Sequence, residues 1–240
     1  MKNIGPRQIQ HLTVAEIANE FPNALRVFHS HGIDFCCGGR EPLDAACSAS
    51  GVDTGVILEE ILSGSESVGS DVNYSSFSTE QIINIIEEKH HRYVRAAMPE
   101  IREILTRICN VHGVADGYLW SLKNSFDMLC LDLMSHMDTE ELAVFPAIRN
   151  RLKMTDNGYL QLMNGLDLPV KALEDDHEMA GQLVKRIRQI TSNYTPPEHA
   201  CPTFRLAYSF LKQFDADLML HIHLENNVLF DRLRGIDRRN

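Results

Sequence analysis

Four long stretches of the chain place apolar residues three and four positions apart, the spacing that gathers side chains on one face of an α-helix. The first stripe holds Ile83, Ile86, Val94, Ala97, Ile101 and Ile108, and the second Leu122, Phe126, Leu129 and Leu133. A third holds Val170, Leu173, Ala180, Val184 and Ile187, and a fourth Leu211, Phe214 and Leu218. They predict long helices from Ser78 to about Cys109, Gly117 to Lys153, Pro169 to Thr191 and Pro202 to Leu233, with turn material at 110–116, 155–158 and 193–197. Ser78 and Gln81 have the spacing of a capping box at the start of the first. Alternating strand patterns are absent, so the fold class is all-α, an antiparallel four-helix bundle.

Shorter elements precede the bundle. Thr13 and Glu16 again have capping-box spacing, and Phe21-Pro22 interrupts the helix they start. A second short helix covers Asn23 to His31, with Gly32 suited to a left-handed cap. After the loop IDFCCGGR (33–40), two more short helices are expected at Leu43–Ser48 and Val52–Leu62. Residues 63–79 are rich in Ser and Gly and have little to bury, which reads as a linker. The expected organisation is a small helical N-terminal domain (1–62), a linker (63–79) and a bundle (80–240) that follows it.

With 44% apolar residues the chain can bury a core, and a formal charge of −10 with pI near 5.5 disfavours a nucleic-acid partner. Neither a signal-like apolar run at Met1–Leu12 nor a stretch approaching eighteen apolar residues occurs, so a soluble, cytoplasmic protein without membrane attachment is expected. Six scattered cysteines do not make a disulfide scaffold. Cys47, Cys109, Cys130 and Cys201 are expected to pack as small apolar groups.

Eleven histidines change the picture through their placement. Extending the second stripe lands on His136, Glu140 and Val144, and extending the fourth lands on His221, Glu225 and Val228: the same HxxxE spacing in the same phase. His177 falls on the third stripe. On the first, periodicity chooses His90 as the inward group and leaves His91 nearer the edge. An ionised glutamate is costly to bury and two facing ones repel, so a cation among them is the natural remedy. Nitrogen and carboxylate ligands without thiolate suit iron, manganese or zinc, and two carboxylates able to bridge suggest a pair of ions, iron first. The bland alternative is a structural bundle whose histidines and glutamates satisfy one another. Asn226 and Asn227 either support the ligands or face solvent.

The strings HGIDFCCGG (31–39), HHRYVRAAMPEI (90–101), SHMDTEELAVFPAI (135–148), EDDHEMAG (174–181) and HIHLENNVLF (221–230) resemble the Repair of Iron Centres proteins, hemerythrin-like di-iron proteins with a small N-terminal domain. The resemblance implies two non-haem iron ions on His91, His136, Glu140, His177, His221 and Glu225, the glutamates bridging. It thus prefers His91 where periodicity prefers His90. His223 is expected to face away, structural or solvated.

The resemblance also implicates Cys36 and Cys37 in function. Neighbouring cysteines bond to each other only with strain, so mixed disulfides, intermolecular pairing, or capture of iron or nitric oxide are chemically easier, and Gly38 and Gly39 would let a partner approach. Two small buried residues in a turn is the plainer reading. The function implied is repair of iron–sulfur clusters damaged by nitric oxide or oxidative stress, with iron supply as the expected route. The alternatives are nitric oxide reduction at the di-iron centre and reversible binding or sensing of dioxygen or nitric oxide. Expected partners are proteins with damaged clusters, and a homodimer is possible.

Overall fold

The computed structural model describes residues 9, 12–21, 23–64, 72–154 and 166–235. The predicted turn at 155–158 and residues 65–71 of the predicted linker lie outside them. Among the described residues there is no strand, only an isolated bridge between Thr13 and Pro42. Among the described residues no helix is long and apolar enough to cross a membrane. The chain divides into two compact units, Ile83–Leu218, and Met1–Ile82 with Met219–Asn240.

The unit Ile83–Leu218 is the helical bundle. A short helix α5 (Thr79–Ile85) passes through a π-turn (Ile86–His91) into α6 (Arg92–His112). Then α7 (Tyr118–Thr139) passes through a second π-turn (Glu140–Val144) into α8 (Phe145–Met154). α9 spans Asp167–Ile190, and α10 runs Pro202–His223. The predicted stripes are the buried faces: Val94, Ile101, Leu122, Phe126, Val170, Leu173, Leu211 and Phe214 are all in the core. Phe126 and Phe214 meet edge to face with centroids 5.3 Å apart. Cys109 and Cys130 pack in this core, and burial pushes the Cys130 thiol up to about 12. Cys201, by contrast, is only half-buried, with Sγ 3.4 Å from His112 Nε2, because it precedes α10 at the bundle's end.

In the other unit, α1 (Val14–Glu20) begins with the expected capping box. The Glu16 amide donates to Thr13 Oγ1 at 3.2 Å, and the Thr13 amide donates to Glu16 Oε2 at 2.8 Å. α2 (Ala24–Ser30) ends before Gly32, whose φ of 70° is the left-handed conformation expected there. α3 (Leu43–Ser50) and α4 (Thr54–Gly64) follow, then a single 3₁₀ turn at Tyr74–Ser76. The Ser78 and Gln81 box forms before Ile82: the Ser78 amide donates to Gln81 Oε1 at 2.8 Å and the Gln81 amide to Ser78 Oγ at 3.2 Å. The C-terminal end of α10, a third π-turn (Leu224–Leu229) and α11 (Phe230–Leu233) belong to this unit, and every residue from His221 to Leu233 is buried. Arg232 donates to the carbonyls of Phe77, at 2.7 Å, and Ser75, at 3.1 Å.

One polar network in the bundle core fixes the turn after α9. Arg188 grips the buried Asp215 through two hydrogen bonds of 2.6 Å, and Tyr194 Oη donates to the same carboxylate at 2.7 Å. Ser192, Asn193 and Tyr194 all have positive φ, an arrangement that costs energy for non-glycine residues and persists because this network holds it. Asp215→Ala leaves Arg188 without its buried counter-charge and is expected to lower unfolding stability by about 3–5 kcal/mol, read from urea denaturation. A loss under 1 kcal/mol would mean the pair is dispensable.

Candidate metal centre

The second π-turn sets the geometry in the bundle unit. His136 sits in the last turn of α7 and Glu140 opens the π-turn, so the two stack on one face, His136 Nε2 lying 3.3 Å from Glu140 Oε1. From α9, His177 brings its Nε2 to 2.9 Å from His136 Nε2, the rings 4.5 Å apart. From the first π-turn, His91 Nε2 reaches 3.3 Å from Glu140 Oε2. All four side chains are buried.

Both His90 and His91 are buried, although periodicity places only His90 inward. The reason is the π-turn from Ile86 to His91, whose wider turn lets two adjacent residues be buried together. His91 is thereby brought off the edge onto the carboxylate. His90 instead pairs through Nδ1 with Asp217 at 3.0 Å.

In the other unit, His221 Nε2 lies 2.8 Å from Glu225 Oε1, both fully buried, on the last turn of α10 and the start of the third π-turn. Sequence phase had singled out both residues. His223 is buried rather than solvated. Its Nε2 lies 3.1 Å from Asn19 Oδ1, and its Nδ1 lies 3.2 Å from the Phe35 carbonyl oxygen and 3.3 Å from Asn227 Nδ2.

The donor set fits a divalent transition metal. His91 Nδ1 is held by Glu141 Oε1 at 2.7 Å, and His136 Nδ1 faces Asp176 Oδ2 at 3.4 Å. A carboxylate on Nδ1 fixes the proton there and leaves the Nε2 lone pair pointing inward, as on metal-bound imidazoles. The Nε2 atoms of His136 and His177 stand 2.9 Å apart beside a buried carboxylate, an arrangement that needs a proton or a cation between them. The residues able to hold a metal here are His91, His136, Glu140 and His177. Glu141 and Asp176 escaped the sequence reading. The available signal was an acidic residue directly after Glu140 and directly before His177. Glu141 is in turn tied to Arg95 at 3.1 Å.

A second cluster lies in the loop between α2 and α3. Asp34, Cys36 and Cys37 offer ligand atoms within 4.8 Å of one another. Asp34 Oδ1 accepts from the Cys37 amide at 3.0 Å, the Gly38 amide at 3.1 Å and the Cys36 thiol at 3.2 Å. Cys36 is buried and Cys37 half-buried, their sulfurs 3.7 Å apart. The hydrogen bond to Cys37, then burial, then the charge on Asp34 push the Cys36 thiol well above its ordinary range. Asn226 and Asn227 do not face solvent: they donate to the Cys36 carbonyl at 3.3 and 3.0 Å, and Asn227 also to the Phe35 carbonyl at 3.1 Å. Gly39 serves this close packing and not partner access. A Cβ there would lie 2.8 Å from the Phe35 carbonyl oxygen and 3.0 Å from Asn227 Oδ1.

Residues 83–233 match the family described as the hemerythrin HHE cation binding domain, and residues 10–64 match the N-terminal domain of ScdA, described as of unknown function. A protein of Dickeya chrysanthemi named iron–sulfur cluster repair protein YtfE is 34% identical over 226 residues, 93% of this chain and 97% of the relative. The chain belongs to the ScdA/YtfE family. The Staphylococcus haemolyticus relative, named iron–sulfur cluster repair protein ScdA, is 31% identical across 91% of this chain and 96% of its own length. A Haemophilus influenzae protein named a probable iron–sulfur cluster repair protein is 31% identical across 92% and 95%. Membership in this family accounts for the all-α bundle together with the small helical region before it.

If Glu141 and Asp176 orient His91 and His136 for a metal, Glu141→Ala and Asp176→Ala each lower metal affinity by about 10–100-fold while helicity is retained. Metal titration followed by circular dichroism checks this, and unchanged affinity in both variants would contradict it.

Proposed function

We propose that this protein repairs iron–sulfur clusters damaged by nitric oxide or oxidants, acting in the cytoplasm by supplying iron. The residues that would hold the iron are His91, His136, Glu140 and His177 of the bundle unit and His221 and Glu225 of the other, imidazole nitrogens and carboxylate oxygens that suit non-haem iron. The observation that carries the reading is the buried histidine set of the HHE region, with Nδ1 of His91 and His136 tied to carboxylates, in a chain whose relatives are named for cluster repair. Bound iron supplies an exchangeable ferrous ion. The protein's own residues present ligands of moderate hardness, neutral imidazole and carboxylate, which release iron more readily to a cluster's thiolates than a cysteine cage would. In this reading Cys36 and Cys37 take part in the handover.

The test is anaerobic incubation of the iron-loaded protein with a purified iron–sulfur protein whose cluster nitric oxide has destroyed. The loaded protein is expected to carry about two irons per chain, as di-iron bundles do. Cluster absorbance should return as that iron is lost, and Glu225→Leu should abolish both the iron load and the recovery. Evolution of nitrous oxide without iron transfer would replace the reading with an enzyme that couples nitric oxide. A reversible spectral change with neither would replace it with a sensor.

A further inference from the structure

The CCGG loop contains one more donor than its motif shows. Met219, on α10 and within the same compact unit, places its Sδ 3.4 Å from Cys36 Sγ. Cys36 Sγ therefore stands between two other sulfurs, Cys37 Sγ at 3.7 Å and Met219 Sδ at 3.4 Å, with Asp34 Oδ1 at 3.2 Å. The sulfur separation within the cysteine pair is far beyond the roughly 2.05 Å of a disulfide, and vicinal cysteines close one only with strain. The spacing suits instead three sulfurs arranged around a shared ion.

We propose that Cys36, Cys37 and Met219 form a binding site for Cu(I). Two thiolates and a thioether are soft ligands, and such sets select Cu(I) over harder divalent cations. Asp34 is a hard donor whose oxygen is already committed to two backbone amides. Its part is to fix the loop and to add negative charge next to an entering cation. Met219 and Cys36 are buried while Cys37 is half-buried, so the ion enters from the Cys37 side.

The site is also preorganised. The carbonyls on either side of the Phe35–Cys36 peptide are gripped by Asn226 and Asn227, and His223 lies edge-on to the Phe35 ring at 5.8 Å. Cys36 is thus positioned before any ion arrives, which removes part of the ordering cost of binding. The proton balance is explicit: the two thiols release two protons to solvent as the ion binds, and no electron changes hands because the copper enters already reduced. Because binding releases those two protons, it strengthens with rising pH. Cu(I) held here competes with any iron handover through the same two cysteines. The inference nevertheless rests on the sulfur geometry alone and stands or falls separately from cluster repair.

The test uses the full-length, iron-loaded protein in an anaerobic competition with a chromogenic Cu(I) chelator. One Cu(I) per chain is expected, with only sulfur neighbours in its X-ray absorption spectrum and affinity rising between pH 6 and 8 by about tenfold or more. Cys36→Ser and Cys37→Ser should each weaken binding by about 100-fold or more, and Met219→Leu, which conserves volume, by about tenfold. Circular dichroism and bundle iron content should stay unchanged in the Met219→Leu variant. Undiminished Cu(I) affinity in Met219→Leu, nitrogen neighbours around the copper, or tighter binding of Fe(II) than of Cu(I) at the loop would each overturn the proposal. Loss of copper binding with iron transfer intact would remove this inference and leave the repair reading in place.

Discussion

Burial of carboxylates and imidazoles is the constraint on which the rest of the structure depends. Glu140 and Glu225 are fully buried, Glu140 against His91 and His136 and Glu225 against His221. An ionised side chain in such a place costs several kcal/mol unless something compensates it. Helix-only architecture gives the compensation a fixed address, because residues four apart stack and two-sided packing lets several helices aim at one level. A hydrophobic core elsewhere in each unit is what makes it possible to hold these polar groups in place at all.

The three π-turns are where backbone geometry answers that constraint. They cover Ile86–His91, Glu140–Val144 and Leu224–Leu229, and each contains one or more of the buried polar groups: His90 and His91, Glu140, and Glu225 with Asn226 and Asn227. A π-turn sacrifices regular hydrogen bonding for a wider turn that can present adjacent residues inward. At Leu224–Leu229 this lets one short stretch do two jobs. Glu225 meets His221, while Asn226 and Asn227 hold the backbone of the CCGG loop. The loop most rich in sulfur is thus braced by the residues that immediately follow a candidate metal ligand.

Much of this is legible in the sequence, for physical reasons that differ from residue to residue. The stripes through Phe126, Leu173 and Phe214 announce the bundle because burial on one helical face enforces their period. Thr13 with Glu16 and Ser78 with Gln81 announce helix starts because unsatisfied amides need side-chain acceptors there. The same phase places His136, Glu140, His177, His221 and Glu225 inside. Phase fails at His91, since a π-turn leaves no compositional mark and lets two adjacent histidines be buried together. It fails again for Asn226, Asn227 and Met219, whose partners lie almost two hundred residues away in the CCGG loop, a distance that local periodicity cannot span. Gly38 and Gly39 look like flexibility on paper. In the folded protein Gly39 is a contact too close for any side chain.

The most direct test of the central claim compares thermal unfolding of the metal-free and iron-loaded protein, for the natural chain and for Glu140→Leu. If cations are what make the buried carboxylate tolerable, iron raises the unfolding temperature of the natural chain markedly. Glu140→Leu without metal is then at least as stable as the metal-free natural chain, because a leucine has no charge to desolvate. Equal unfolding temperatures with and without iron, together with a less stable metal-free Glu140→Leu, would show that the histidines and glutamates satisfy one another and contradict the account.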